Sequence, residues 1–287
     1  MNMSLALRIR QYIIYPLLVL TMLFTPDAVS TETAKLIDTD TFVLDSAATM
    51  GQGITTDGEY YYTSGSLVGI GFTALAKYKV EDMDFVDVKV NPLPSVCTAR
   101  GNDHIGGISY YDGKIYASVE GGEEVLACIV TFDAETLEAL EVYDLNNEQF
   151  PDGVPWCAVD ASTGYLYASK WKDTKTIYVY DVNNDMALVK EISLSQSIKR
   201  IQGGEFLDGT LYLSKDNNDK DKIRDILSVD ASTGEVKIVA ERNVGSENCE
   251  AEGMTFTKDE NGNAVLHVLD YNRTIGIFVH HYEVDFA

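Results

Sequence analysis

One phrase recurs through this chain and limits its possible folds more than any other property. It first stands at Gly51–Ser64, GQGITTDGEYYYTS: a short apolar run, an Asp-Gly pair, then tyrosine and small hydroxyl residues. It returns from Asn102 (NDHIGGISYYDGKIYAS), Pro155 (PWCAVDASTGYLYAS), Gln202 (QGGEFLDGTLYLS) and Glu250 (EAEGMTFTKDENGNAVLHV). The shared dipeptides are Asp57-Gly58, Asp112-Gly113, Thr163-Gly164, Asp208-Gly209 and Asn261-Gly262. Such pairs mark hairpin turns, because the turn needs a positive φ that glycine adopts without strain. Aligned on these glycines, Tyr61, Tyr116, Tyr167 and Tyr212 fall three residues on, and Thr63, Ser118, Ser169 and Ser214 five residues on. In the fifth copy His267 takes the tyrosine's place.

The tyrosines follow one another by 55, 51 and 45 residues, room for a four-stranded unit each time. A sheet of that size cannot bury both faces alone, but repeated radially it packs on its neighbours and leaves only short edges. The expected fold is therefore an all-β, five-bladed β-propeller. The last repeat has only three strands, and one orphan strand at Thr41–Leu44 precedes the first repeat, so the N-terminal strand is expected to close the last blade. Residues 31–40 read as loose polar chain, and Ser195–Arg200 as loop. No Rossmann or P-loop glycine pattern and no GxSxG elbow occurs.

The N-terminus stands apart. Arg8 and Arg10 precede a 13-residue apolar run, Tyr12–Phe24, followed by small residues at Ala28-Val29-Ser30. That is the pattern of a secretory signal peptide over residues 1–30, and the run is short of the ~20 residues that span a bilayer. The expected mature protein is a single propeller domain, residues 31–287, secreted or extracytoplasmic and without stable membrane insertion. In an oxidising compartment Cys97, Cys128, Cys157 and Cys249 could form up to two disulfides, although Cys128 and Cys157 equally suit buried thiols. The net charge of −23 argues against nucleic acid as a partner. A small molecule, a glycan or an extracellular protein remains compatible. Asn272-Arg273-Thr274 is a glycosylation sequon.

In a propeller the first strand of each repeat lines the axis, and the residues before it surround one mouth of a channel. Here those residues are Gln52, the run Asn102-Asp103-His104, Pro155-Trp156, Gln202 with Glu205, and Glu250 with Glu252. Gln52, Asp103, Trp156, Gln202 and Glu205 are the expected ligand-binding residues, with Trp156 able to stack on a sugar or an aromatic group. Trp171 reads as interblade packing. His104 can serve as a general base with an acid such as Glu252 beside it, or can be a structural histidine. Glu250 and Glu252, at spacing two, point the same way in extended chain, and with Asn102 and Asp103 they form an oxygen donor set that suits calcium. Gly53, Gly106, Gly107, Gly203, Gly204 and Gly253 read as room for crowded inner strands.

Two partial resemblances bear on activity. Gln52-Gly53-Ile54, with YTSGSLVG and Leu75-Ala76-Lys77, resembles the opening blade of the plant- and bacterial-type glutaminyl cyclotransferases, five-bladed propellers that cyclise N-terminal glutamine. Where their second blade opens on a glutamate-bearing phrase, this chain has His104-Ile105-Gly106-Gly107. Glu252-Gly253 and Asn102-Asp103 resemble blade openings in the calcium-dependent, six-bladed gluconolactonase and paraoxonase propellers. The reading is a propeller that binds a ligand or partner at its channel mouth. The alternative is a hydrolase or cyclase at that mouth, lactonase/esterase-like or glutaminyl-cyclase-like, with calcium as a candidate cofactor.

Overall fold

The computed structural model describes residues 33–43, 46–67, 70–122, 124–217, 223–244, 248–273 and 276–286. Residues 1–30 lie outside them, as does Thr274 of the sequon. The N-terminal strand β1 (Ala34–Val43) comes first, followed by four complete repeats. Blade one holds β2 (Gly53–Thr56), β3 (Tyr60–Leu67), β4 (Phe72–Lys79) and β5 (Phe85–Val90). Blade two holds β6 (Asn102–Tyr111), β7 (Lys114–Gly121), β8 (Cys128–Asp133) and β9 (Ala139–Asp144). Blade three holds β10 (Trp156–Asp160), β11 (Tyr165–Ser169), β12 (Thr174–Asp181) and β13 (Ala187–Ile198). Blade four holds β14 (Ile201–Leu207), β15 (Thr210–Lys215), β16 (Ile223–Val229) and β17 (Val236–Asn243). Blade five holds β18 (Cys249–Lys258), β19 (Ala264–Asn272) and β20 (Gly276–Val284).

Each repeat is a four-stranded antiparallel sheet, and β1 supplies the missing fourth strand of blade five in the order β1-β20-β19-β18. The molecule is a five-bladed β-propeller closed by its N-terminal strand, as the repeat predicts. Closure begins earlier than expected, at Ala34, because the polar stretch 34–40 pairs with the outer edge of β20, with one bulge between Leu36 and Asp38. An edge strand with one covered face needs few apolar residues. Likewise β13 continues to Ile198 rather than ending in a loop, because Ile192, Leu194 and Ile198 are buried against the blade interior.

The hairpin turns follow the sequence signals. Gly58, Gly113, Gly164, Gly209 and Gly262 all have positive φ, between 69° and 95°. The first turn is one residue longer on its return side, and this shifts the register of the first copy. Tyr62, not Tyr61, stands opposite Thr55, as Tyr116 stands opposite Ser109, Tyr167 opposite Ala158, Tyr212 opposite Glu205 and His267 opposite Thr255. The hydroxyl of the first copy is accordingly Ser64.

There is no single central core. Five apolar clusters each straddle a seam between neighbouring blades, and Tyr62, Tyr116, Tyr167 and Tyr212 project into the seam with the following blade. Blade five closes on blade one through Leu269, Ile277 and Val279 against Ile54, Tyr61 and Tyr78. A buried large apolar side chain contributes ~1.5–3 kcal/mol, so each seam is held by its own wedge. The two helices, α1 (Ala47–Met50) and α2 (Ser95–Ala99), are single turns between strands. Among the described residues no helix is long and apolar enough to cross a membrane.

Candidate functional site

The inner strands meet at the axis as closely as backbones allow. A methyl group on Gly53 would lie 2.8 Å from Gly106 O, one on Gly203 would lie 2.8 Å from Gly253 Cα, and one on Gly253 would lie 2.7 Å from Gly53 Cα. Each glycine faces the next blade and lets it approach, the structural role the sequence suggests. The blades are also stitched here by backbone hydrogen bonds, Gly107 N to Pro155 O and Gly253 N to Gln52 O, both 2.8 Å. Trp156 takes the glycine's place in blade three. Its ring lies over Gly204, its Nε1 donates to Ser169 Oγ at 3.0 Å, and it is 0% exposed. This corrects the expectation of a stacking platform: where the other blades carry glycine, the indole fills the seam and no face is left for a ligand.

Below this belt stands one residue per blade: Thr55, Ser109, Ala158, Glu205 and Thr255. Glu205 reaches across the axis. Its carboxylate lies 3.3 Å from Thr55 Oγ1 and 3.4 Å from Thr255 Oγ1, and accepts from Phe206 N at 2.9 Å. Burial pushes its pKa up to about 7, against these hydrogen bonds. A side chain that bridges blades one, four and five obstructs the bore, so the axis is pinched rather than an open conduit.

Above the belt, His104 is the centre of a small polar group. Its Nε2 is 2.7 Å from Gln52 Oε1. A carboxamide oxygen only accepts, so Nε2 carries the hydrogen and Nδ1 is the free nitrogen. Nδ1 lies 3.7 Å from Glu120 Oε1, the carboxylate opposite His104 in the blade-two hairpin. Burial lowers the His104 pKa, against the pull of Asp103, so the imidazole is neutral at neutral pH. Burial raises Glu120 to about 7; a backbone hydrogen bond from Val154 opposes the shift and Asp152 adds to it. The sequence reading places an acid such as Glu252 beside His104; Gln52 and Glu120 are the side chains in contact with it, and Asp103 acts on it from the adjacent position in the chain.

Glu120 occupies a defined place in the repeat, two residues beyond the conserved-register serine. The same place holds Ser66 in blade one, Trp171 in blade three and Asp216 in blade four. Ser66 is sealed by Ile105 N, which donates to its Oγ at 2.8 Å. Asp216 is held by Arg200 and Arg224. Glu120 and Trp171 instead line a cavity of about 570 Å³ between blades two and three, together with Phe150, Pro151, Asp152 and Lys172. Glu120 Oε2, Asp152 Oδ1 and Trp171 Nε1 are buried there without a hydrogen-bond partner among the described residues. Gly153, at φ +91°, leaves room for Glu120, since a methyl there would fall on Oε2. Arg200 lies 5.0 Å and Lys172 5.7 Å from the centre of the Trp171 ring. Unpaired buried polar atoms are uncommon in folded proteins and call for a reason.

The remaining expected site residues are dispersed. Asp103 is half-buried beside His104, and Gln202 is half-buried at the start of blade four. Asn102 is buried and structural: Oδ1 accepts from Arg100 Nε at 2.7 Å and Nδ2 donates to Leu126 O at 3.0 Å. Glu250 pairs with Arg273 and lies 3.5 Å from Arg200. Glu252 is buried, and burial followed by Glu250 raises its pKa well above the ordinary value. Asn102 and Asp103 thus sit on blade two while Glu250 and Glu252 sit on blade five, and among the described residues no three His, Cys, Asp or Glu side chains cluster as metal ligands. All four cysteines are free and buried. Cys97 and Cys128 approach to 3.9 Å between sulfurs, a thiol contact rather than a bond. His267, His280 and His281 are buried on β19 and β20: His267 meets Thr257 and His281, His281 also meets Asp40, and His280 meets Asp270, as a structural role requires.

No protein-family model matches the chain, and no curated protein does. Solved structures do match in fold. Bacteroides ovatus Xyloglucan PUL GH43B is 12% identical with a TM-score of 0.56, over 82% of this chain and 51% of that one. RS223 β-xylosidase is 10% identical with a TM-score of 0.54, over 85% and 94%. The tail fiber of Staphylococcus aureus phage P68 is 15% identical with a TM-score of 0.54, over 93% and 56%. The chain therefore spans about half the length of two of these neighbours. At such identities the likeness defines the class, a β-propeller, and nothing finer.

Proposed function

We propose that this propeller acts outside the cytoplasm as a receptor for a small ligand, held on the face where the inner strands begin, from the His104 group outward into the cavity between blades two and three. One observation carries the reading: Glu120, Asp152 and Trp171, drawn from two blades, line one cavity of about 570 Å³ beside the His104 group. Concave sites with a few convergent polar groups are where small molecules bind. The net charge of −23 disfavours anionic ligands. The test is a thermal-shift screen of neutral and cationic small molecules against the wild type and Glu120→Gln. A compound that stabilises the wild type and not the variant supports the reading; compounds that stabilise both equally place binding elsewhere.

A second reading is a hydrolase or cyclase at the same mouth. It is favoured by the contact between a neutral His104 imidazole and a Glu120 carboxyl titrating near neutrality, a pair suited to proton transfer. Turnover of an ester, lactone or N-terminal glutaminyl peptide that disappears in His104→Ala supports this reading. Turnover that survives in a folded variant removes it. Chelation of calcium is a separate arm, and loss of turnover on chelation would bring the metal into the mechanism.

A further inference from the structure

We propose that Cys97 and Cys128 form a disulfide when the chain folds under oxidising conditions, tying the link between blades one and two to the third strand of blade two. The inference is independent of the ligand cleft. It rests on where the fold brings two residues that stand 31 apart in the chain. Cys97 lies in the single turn α2, on the connection from β5 to β6, and Cys128 opens β8. Their sulfurs are 3.9 Å apart, and both side chains are buried. A disulfide needs about 2.05 Å. Rotation about the two Cα–Cβ bonds, with a small shift of a turn whose Val96 is exposed, closes the rest. β8 is held on both sides, with Cys128 opposite Val119 and Asp144, so α2 is the part that gives.

The surroundings suit thiol–disulfide exchange. Arg100, held by Asp144 at 2.6 Å, puts a cation beside both thiols and favours the thiolate that exchange needs. Before α2 settles over β8, the Cys97 thiolate attacks one sulfur of a small disulfide such as glutathione disulfide. One thiolate leaves, and Cys97 carries a mixed disulfide. As α2 settles, the Cys128 thiol gives up its proton and attacks the Cys97 sulfur, and the second thiolate leaves. Two protein thiols are oxidised and one small disulfide is reduced to two thiols, which take up the two protons. The other two cysteines face different neighbours. Cys157 points at Tyr116 O, at 3.4 Å, and Gly107 O, at 3.8 Å, in the seam between blades two and three. Cys249 opens β18 of blade five, buried beside Arg224 and Arg242. Blades three and five are not neighbours, so these two sulfurs stay thiols and a single bond forms.

The test is thiol counting and non-reduced peptide mapping of the full chain, refolded in glutathione buffers that run from all thiol to mostly disulfide. The expected result in the oxidising buffer is loss of two of the four thiols and one linked pair of peptides, Cys97 with Cys128. The oxidised chain should melt about 5–10 °C above the same chain in dithiothreitol, because the link closes a long loop. Cys97→Ser should abolish that difference, whereas Cys157→Ser should keep both the link and the difference. Cys249→Ser is a second control should Cys157→Ser fail to fold. Chain folded first under reducing conditions, then held in the oxidising buffer until its thiol count is constant, gives a reading that needs no refolding. Four thiols surviving by both routes would overturn the proposal, and so would a link that joins any other pair. A Cys97–Cys128 link that lowers the melting temperature would also overturn it, since the bond would then distort the native contact.

Discussion

Glu120 and Asp216 occupy the same place in successive repeats, two residues beyond the serine, and they have opposite surroundings. Asp216, 1% exposed, faces Arg200 at 2.5 Å and Arg224 at 2.5 Å, and Arg224 in turn donates to Cys249 O across the seam to blade five. The neighbouring pair Arg242–Asp270, at 2.7 Å, completes a seam in which buried acids meet arginines. At the seam between blades two and three Glu120 meets the backbone N–H of Val154, a neutral imidazole, a second acid and a cavity, with no cation paired to it among the described residues. A buried charge answered by an opposite charge serves the fold, whereas a buried acceptor beside a cavity has capacity left for a ligand. Glu205 sharpens the contrast. Its pKa rises to about 7, as that of Glu120 does, yet its oxygens face two threonine hydroxyls and a backbone N–H. A raised pKa alone therefore does not mark a site.

The largest effect is expected on the paired side. Asp216→Asn removes the carboxylate charge that faces both Arg200 and Arg224 and should lower stability by about 3–5 kcal/mol in urea denaturation. A loss below about 1 kcal/mol would show that the two seams do not differ as described.

The isosteric change on the other side should act in the opposite sense. A carboxyl whose folded pKa is raised from 4.5 to about 7 contributes stability that is fully present below pH 4.5 and lost as the pH rises through 7. Glu120→Gln avoids that loss, so it should match the wild type at pH 4 and exceed it at pH 8 by roughly 1–3 kcal/mol. A variant less stable than the wild type at pH 8 would mean that burial does not dominate at Glu120. Glu205→Gln should show the same pH signature over the same window, because burial dominates there too. It should leave ligand affinity unchanged, and a loss of affinity would bring the bore into the site. The smallest effect belongs to Trp171→Phe, expected to cost about 1 kcal/mol of stability, since the half-buried side chain loses the pyrrole part of its indole, whose centre lies 5.0 Å from Arg200.

The fold was legible in the sequence because its signals are local. Turn glycines need positive φ wherever the hairpin lies, and the seam tyrosines follow from the turns by period two. The exception, Tyr62 in place of Tyr61, came from one extra turn residue that the glycine alignment could not register. The site was less legible. His104 and Gln52 stand before inner strands and were visible as polar residues that packing does not require. Trp156 looked the same and is instead packing, because only the neighbouring Gly204 shows where its ring goes. Glu120 could have been found by counting: it lies two residues past Ser118, opposite His104 once the Asp112-Gly113 turn is set. Asp152 and Trp171 could not, since their approach to Glu120 depends on how two blades pack. Trp171 even read as packing.

The two tryptophans allow the most direct measurement. Trp156 Nε1–H is bonded to Ser169 and sealed in a seam, while the Trp171 side chain lines the cleft. In a proton–nitrogen correlation spectrum each gives one indole resonance, assigned with Trp171→Phe. Titration with the compound that binds most tightly in the thermal-shift screen should move the Trp171 resonance and leave that of Trp156 in place. A bound compound that leaves the Trp171 resonance unmoved would contradict the account.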